Sequence, residues 1–322
     1  MDYPKSVPGA GLVNGRFVDE DPVSGTPGSL IPASWGNAVT DEIRGVVTSA
    51  GMVASESNNN QLLEAINKVV NASAQRVGTV AGLLRNASFS IPAAAATGIF
   101  TADELTVQPV AGGAGYRVAN FSKTINLTTI GAGGMDIGPV PVNGFVALYA
   151  IYNSVSGDSS ILAVNSSSVV ASSCYLGGKM PAGFDASALI SVWPTDATGK
   201  FKVGAQRGRK IYLSLTAAYT GSAVLNGSPL SIAGIVPANA FEFGGEMVIS
   251  NGSQTLSYIN MVLNANGLGI GQQIIAGHLS SGAGLAGNYS MPVLGGQTIY
   301  MHCQSTSGSP IFELYISSYS FS

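Results

Sequence analysis

Nine residues in the middle of the chain, FVALYAIYN from Phe145 to Asn153, do most to limit what it can fold into. Phe145, Ala147, Tyr149 and Ile151 alternate with Val146, Leu148, Ala150 and Tyr152, and both sets are apolar. A strand that is apolar on both faces must be covered on both. A β-sandwich whose second face meets another subunit would satisfy it. Comparable runs flank it, FTADELTVQP, YRVANFSKTINLT, SSILAVNSSS, ALISVWPT and KIYLSLTAAY, separated by turn signals such as GAGG, SGD and DATG. Residues 76–216 are therefore expected to form one antiparallel β-sandwich module.

The softer stretch TGSAVLNGSPLSIAGIVPANA marks a boundary near residues 220–240. Beyond it FEFGGEMVIS, LSYINMVLNA, GIGQQIIAGHLS, QTIYMHCQS and IFELYISSYSFS predict a second small sandwich, assigned to residues 217–322. In QTIYMHCQS, Ile299, Met301 and Cys303 share one face, and Tyr300 and His302 the other. Strict alternation in the last strand puts Phe312, Leu314 and Ile316 on one side. Glu313, Tyr315, Ser317, Tyr319 and Phe321 fall on the opposite side.

Composition narrows the partners. A hydrophobic fraction of 46% with 10% charged residues argues for a folded chain, and for a surface partly hidden against other subunits. No lysine or arginine follows Lys210, so the last third cannot neutralise phosphates and nucleic acid is not an expected partner. The cluster Arg207, Arg209, Lys210 reads as a solvated strand end or linker. Cys174 and Cys303 read as small buried hydrophobes. No apolar run reaches the ~20 residues of a membrane-spanning helix, so no membrane insertion is expected. Met1-Asp2-Tyr3-Pro4 begins no secretory signal, which predicts synthesis in the cytoplasm without export.

One stretch reads as helix. After Ile31-Pro32, Trp35, Val39, Ile43, Val46 and Val47 recur at helical spacing, with Ser34 or Asn37 as possible caps. Leu62, Ile66 and Val69 begin a coiled-coil seam that Ser73, Arg76, Gly78 and Gly82 then end. Ahead of these helices, residues 1–30 hold four prolines and five glycines and predict an extended arm that orders only against a partner.

The run VNGRFVDEDPVSGTPGSLIPASWGNAVTDEI, followed by NNNQLLEAI, resembles the N-terminal attachment region of tail fibre proteins from bacterial viruses and prophages, over roughly the first 70 residues. FVALYAIYN with MPAGFDASALISVWPTDATGKF resembles a β-rich spacer module of such fibres. The resemblance implies a homotrimeric fibre on the virion tail. Residues 1–30 would be an attachment arm and 31–75 a helical anchor, with Pro32, Trp35, Asn37, Val39, Glu42 and Ile43 meeting baseplate or tail-tip proteins. Leu62, Ile66 and Val69 would form the trimer seam. The distal end would bind a bacterial surface glycan or outer-membrane protein.

Tyrosine and asparagine pair a stacking or packing surface with hydrogen bonds, which suits sugars. The candidates for receptor contact are Tyr258, Asn260, His278, Asn288, Tyr289, Tyr300, His302, Tyr315 and Tyr319. Any single strand tyrosine serves packing as readily. Catalytic signatures such as GxSxG, HExxH and GxxxxGK[ST] are absent, and GLGIG at Gly267–Gly271 reads as a turn. No catalysis, cofactor or metal is expected. Two other functions compete: a tailspike depolymerase, which needs a clustered acid pair from Glu242, Glu246 and Glu313, and a structural baseplate or adaptor protein.

Overall fold

Two apolar faces on one strand demand two covers, and the chain supplies both itself. The structure, a computed structural model, describes residues 3–74, 76–77, 80–294 and 296–322; Gly78 and the side chains of Ser73 and Arg76 lie outside the described residues. Every residue of β6 (Phe145–Tyr152) and β8 (Ala186–Pro194) is buried within one chain. Together with β7 (Ser159–Asn165) they form a three-stranded antiparallel sheet, β7-β6-β8. On its inner side Trp193 meets Phe89 edge to face at 4.9 Å. On the other side the ring of Tyr149 lies against Tyr175, and its hydroxyl donates to Ser172 O at 2.9 Å. The expectation that another subunit covers this second face is thus corrected: a loop of the same chain occupies it.

The layer beneath is longer than two separate modules would need. Among the described residues ten strands share it: β1 (Arg76–Val77), β2 (Leu84–Arg85), β3 (Ser88–Ile91), β4 (Thr97–Val107), β5 (Gly115–Asn126), β9 (Gly204–Arg207), β10 (Lys210–Gly221), β12 (Ala240–Asn251), β15 (Gly284–Pro292) and β17 (Pro310–Phe321). Their order is β1-β5-β4-β3-β9-β10-β17-β12-β15, with β2 paired to β4. At the distal end a four-stranded sheet, β11-β16-β13-β14, packs over this floor. Its strands are β11 (Leu225–Ser231), β13 (Ser257–Asn264), β14 (Gln273–Leu279) and β16 (Thr298–Ser305). The fold is mainly β, with antiparallel sheets in a sandwich-like arrangement. β10 runs through the position 216/217 at which the sequence suggested a break, pairing with β9 at its start and with β17 along its length.

Two corrections follow from the ladder. The stretch at 220–240 contains a strand, β11, that its glycine and proline disguise. Gly227 (φ +66°) occupies a bulge, and Pro229 is tolerated because β11 is an edge strand. In β17 the partners of Gly244 and Gly245 are Ser318 and Ile316, which leaves Ser317 as an extra, unpaired residue. The bulge flips the alternation, so Tyr319 and Phe321 join Phe312, Leu314 and Ile316 on the buried face instead of Glu313 and Tyr315. Tyr319 there donates to Val192 O at 2.7 Å.

Arg209 is also corrected. It is not solvated: its guanidinium donates to Gly82 O at 2.7 Å and lies 5.2 Å from the Phe321 ring centre. Burial lowers its pKa. Cys174 and Cys303 are buried free thiols, as expected.

Residues 1–76 form a separate compact unit. α1 (Ala33–Ser49) packs against α2 (Gln61–Ala74), with Val47 and Ala65 buried. Helix α1 starts directly after Pro32, which has extended backbone angles, and no side chain caps it. Ser34 and Asn37 lie inside the helix. The arm is irregular, but it folds back on itself. Asn14 and Gly15, both with positive φ, close a tight turn bridging Val13 and Arg16, and Asp21 bridges to Thr26. Phe17 stacks edge-on between Tyr3 and Trp35. These contacts hold parts of the arm against one another and against the start of α1. Among the described residues no helix is long and apolar enough to cross a membrane.

Candidate functional site

The four-stranded distal sheet buries one side of each strand and leaves the other open. Ile259, Met261, Leu263, Ile299, Met301 and Cys303 are at most 2% exposed and form the inner side. The period of two then sends Tyr258, Asn260, Val262, Tyr300, His302 and Gln304 outward. Ile274, Ala276 and His278 join them from β14, and Asn226 and Pro229 from β11.

Register sets these side chains in rows. One row reads Asn226, His302, Val262, Ile274, and the next Gln304, Asn260, Ala276. Beyond them Tyr258 stands opposite His278, with ring centres 5.2 Å apart. On the other flank Tyr300 pairs with Pro229. From strand and residue spacings the face covers about 14 Å by 20 Å. Tyr258 is pinned at its backbone, its N–H donating to Thr306 Oγ1 at 3.0 Å. A shallow pocket of about 280 Å³ lies beside it, lined by Val224, Tyr258, Gln304, Ser305 and Thr306.

Two details give this face its chemistry. No aspartate, glutamate, lysine or arginine occurs in any of the four strands. The side-chain oxygen of Asn260 is buried without a hydrogen-bond partner. The face thus carries no carboxylate, ammonium or guanidinium group.

The structure divides the sequence candidates into three groups. Tyr258, Asn260, His278, Tyr300 and His302 come together on the open distal face. Asn288 and Tyr315 lie on the outer surface of the floor, both beside Glu246 in register. Tyr315 donates to Glu313 Oε1 at 2.9 Å, and this hydrogen bond raises its pKa. Tyr289 and Tyr319 are inside: Tyr289 donates to Tyr315 O at 3.0 Å and Tyr319 is fully buried. Neither presents a surface to a ligand. Sequence reasoning missed Asn226, Gln304, Val262 and Ile274, and the signal was their register beside Tyr300 and His302.

The carboxylates lie elsewhere. Glu242 accepts from Ser290 Oγ at 3.0 Å and is 3.8 Å from Lys210 Nζ. Glu246 and Glu313 are diagonal neighbours on adjacent strands of the floor. Among the described residues no three histidine, cysteine or acidic side chains gather in a metal-binding group.

In the N-terminal unit, Trp35 is held by Phe17, Val39 is half-buried, and Asn37 and Glu42 are exposed. Ile43, Leu62, Ile66 and Val69 are 37–44% exposed despite being apolar. Ile43 and Leu62 also line a cleft of about 550 Å³ with Thr40, Arg44 and Val47.

No protein-family model matches the chain, and no curated protein matches it. Among solved structures, the C-terminal family 22 carbohydrate-binding module of Clostridium thermocellum Xyn10B is 14% identical. The match covers 46% of this chain and 81% of that one, with a TM-score of 0.19. The VP2 subviral particle of infectious bursal disease virus is 10% identical over 80% of this chain and 77% of that one, with a TM-score of 0.23. Likenesses at these scores carry no weight for fold or function.

Proposed function

We propose that the chain is a non-enzymatic, receptor-binding tail fibre protein of a bacterial virus or prophage. The N-terminal unit attaches to a baseplate or tail-tip protein, three copies assemble, and the open face of the distal sheet binds a glycan on the host surface. That face carries the reading: rings and amides converge on rigid strands, without the ionic groups that a merely solvated surface usually carries. The resemblance of the first 70 residues to fibre attachment regions supports the anchored end. The apolar positions Ile43, Leu62, Ile66 and Val69, left exposed in one chain, support assembly.

Adsorption of the labelled full-length protein to susceptible cells tests the reading. Tyr300→Ala and Asn260→Ala should each weaken adsorption about tenfold, equivalent to about 1.4 kcal/mol, with unchanged melting temperature. Periodate treatment of the cells should abolish it. Undiminished adsorption by both variants would reject this face as the receptor site. Release of oligosaccharides from host polysaccharide would favour the depolymerase, and binding to a virion protein alone would favour the adaptor.

A further inference from the structure

We infer that the distal face takes a neutral glycan, built from uncharged sugars, and discriminates against acidic polysaccharide. The inference rests on the assignment of that face as the receptor site and names its ligand class. A uronate, sialate or phosphate group brought onto the face would lose water and find no lysine or arginine in any of the four strands. No lysine or arginine follows Lys210 in the chain, so no neighbouring loop of the distal module supplies one. Lys210 lies on the floor with Glu242. An ammonium-bearing sugar fares no better, because Glu242, Glu246 and Glu313 all belong to floor strands.

What the face does offer suits hydroxyl groups. Asn260 and Gln304 stand side by side in register and bring two side-chain amides together. Asn226 stands beside His302, and a side chain on Gly227 would come within 3.4 Å of that imidazole. The bulged backbone of β11 therefore closes over one edge of the histidine. Tyr300 and the Tyr258–His278 pair supply flat surfaces on either flank for the apolar faces of sugar rings.

The experiment measures binding of the full-length protein at pH 7.5 to immobilised neutral polysaccharides (dextran, mannan, galactan) and acidic ones (alginate, polygalacturonate, polysialic acid). At least one neutral polymer should bind, about tenfold or more tighter than any acidic one, and Tyr300→Ala should abolish that binding. Ile274→Lys, at a position 57% exposed on the same face, should raise acidic binding selectively. Acidic polymers bound as tightly as neutral ones, with the same dependence on Tyr300, would overturn the ligand class but keep the site. Binding to neither class, together with normal cell adsorption by Tyr300→Ala, would overturn the site as well. A lowered oligomeric mass for Tyr300→Ala would identify the face as a contact between copies and overturn both.

Discussion

The phenol of Tyr319 donates a 2.7 Å hydrogen bond to the backbone oxygen of Val192, 127 positions earlier in the chain. It ties the last strand of the floor to the central sheet of the proximal sandwich, in a site with no access to solvent. Tyr319→Phe keeps the ring and deletes the bond, so stability should fall by about 1 kcal/mol. Tyr319→Ala also leaves a cavity and should cost about 3–5 kcal/mol. Urea unfolding of both variants reads the difference.

Burial raises the pKa of Tyr319, and also of Tyr149 and Tyr289, above the usual phenol value of 10. Burial likewise pushes the Cys303 thiol up to about 12 from 9. In each case the unfolded chain loses its proton at a lower pH than the folded one. The stabilisation is complete below the unfolded values and is lost as pH climbs from about 9 and 10 through the raised folded values. Melting temperature should therefore drop steeply in that alkaline range. Tyr289→Phe should flatten the decline, and an unchanged slope would contradict the assignment.

Because β10 serves both sandwiches, a fragment of residues 217–322 begins inside a strand. It lacks the pairs Lys210–Ser320, Ile211–Tyr319 and Tyr212–Ser318 and removes the acceptor of the Tyr319 hydroxyl. Such a fragment should aggregate or show no cooperative melting, because it exposes the edge of β17 and part of the core. A fragment of residues 80–322, which keeps the whole sheet from β2 onward, should melt cooperatively.

The exposed apolar positions of α2 predict an effect on assembly. Ile66→Asp places a charge in the proposed seam and should lower the solution mass of the full-length protein toward that of one chain, about 33 kDa. Distal cooperative melting should be unaffected. Mass photometry at micromolar and nanomolar concentration distinguishes this from general unfolding.

The sequence alone marked most of the strands and both helices. Alternation and turn residues are local: FVALYAIYN announces a doubly covered strand, and QTIYMHCQS announces that Tyr300 and His302 point away from Ile299, Met301 and Cys303. Residue type alone named Tyr258, Asn260 and His278 as candidates, but did not say that they stand next to one another. The tertiary structure decided whatever depends on pairing between distant segments. A single extra residue, Ser317, reverses the alternation in β17 and sends Tyr319 and Phe321 inward, because the ladder with Gly244 and Gly245 tolerates a bulge there. Pairing also made β11 a strand despite Gly227 and Pro229, ran β10 through an expected boundary, and covered the second face of β6 with the chain's own loop. Local pattern sets each strand's two faces; only long-range contacts decide what each face meets.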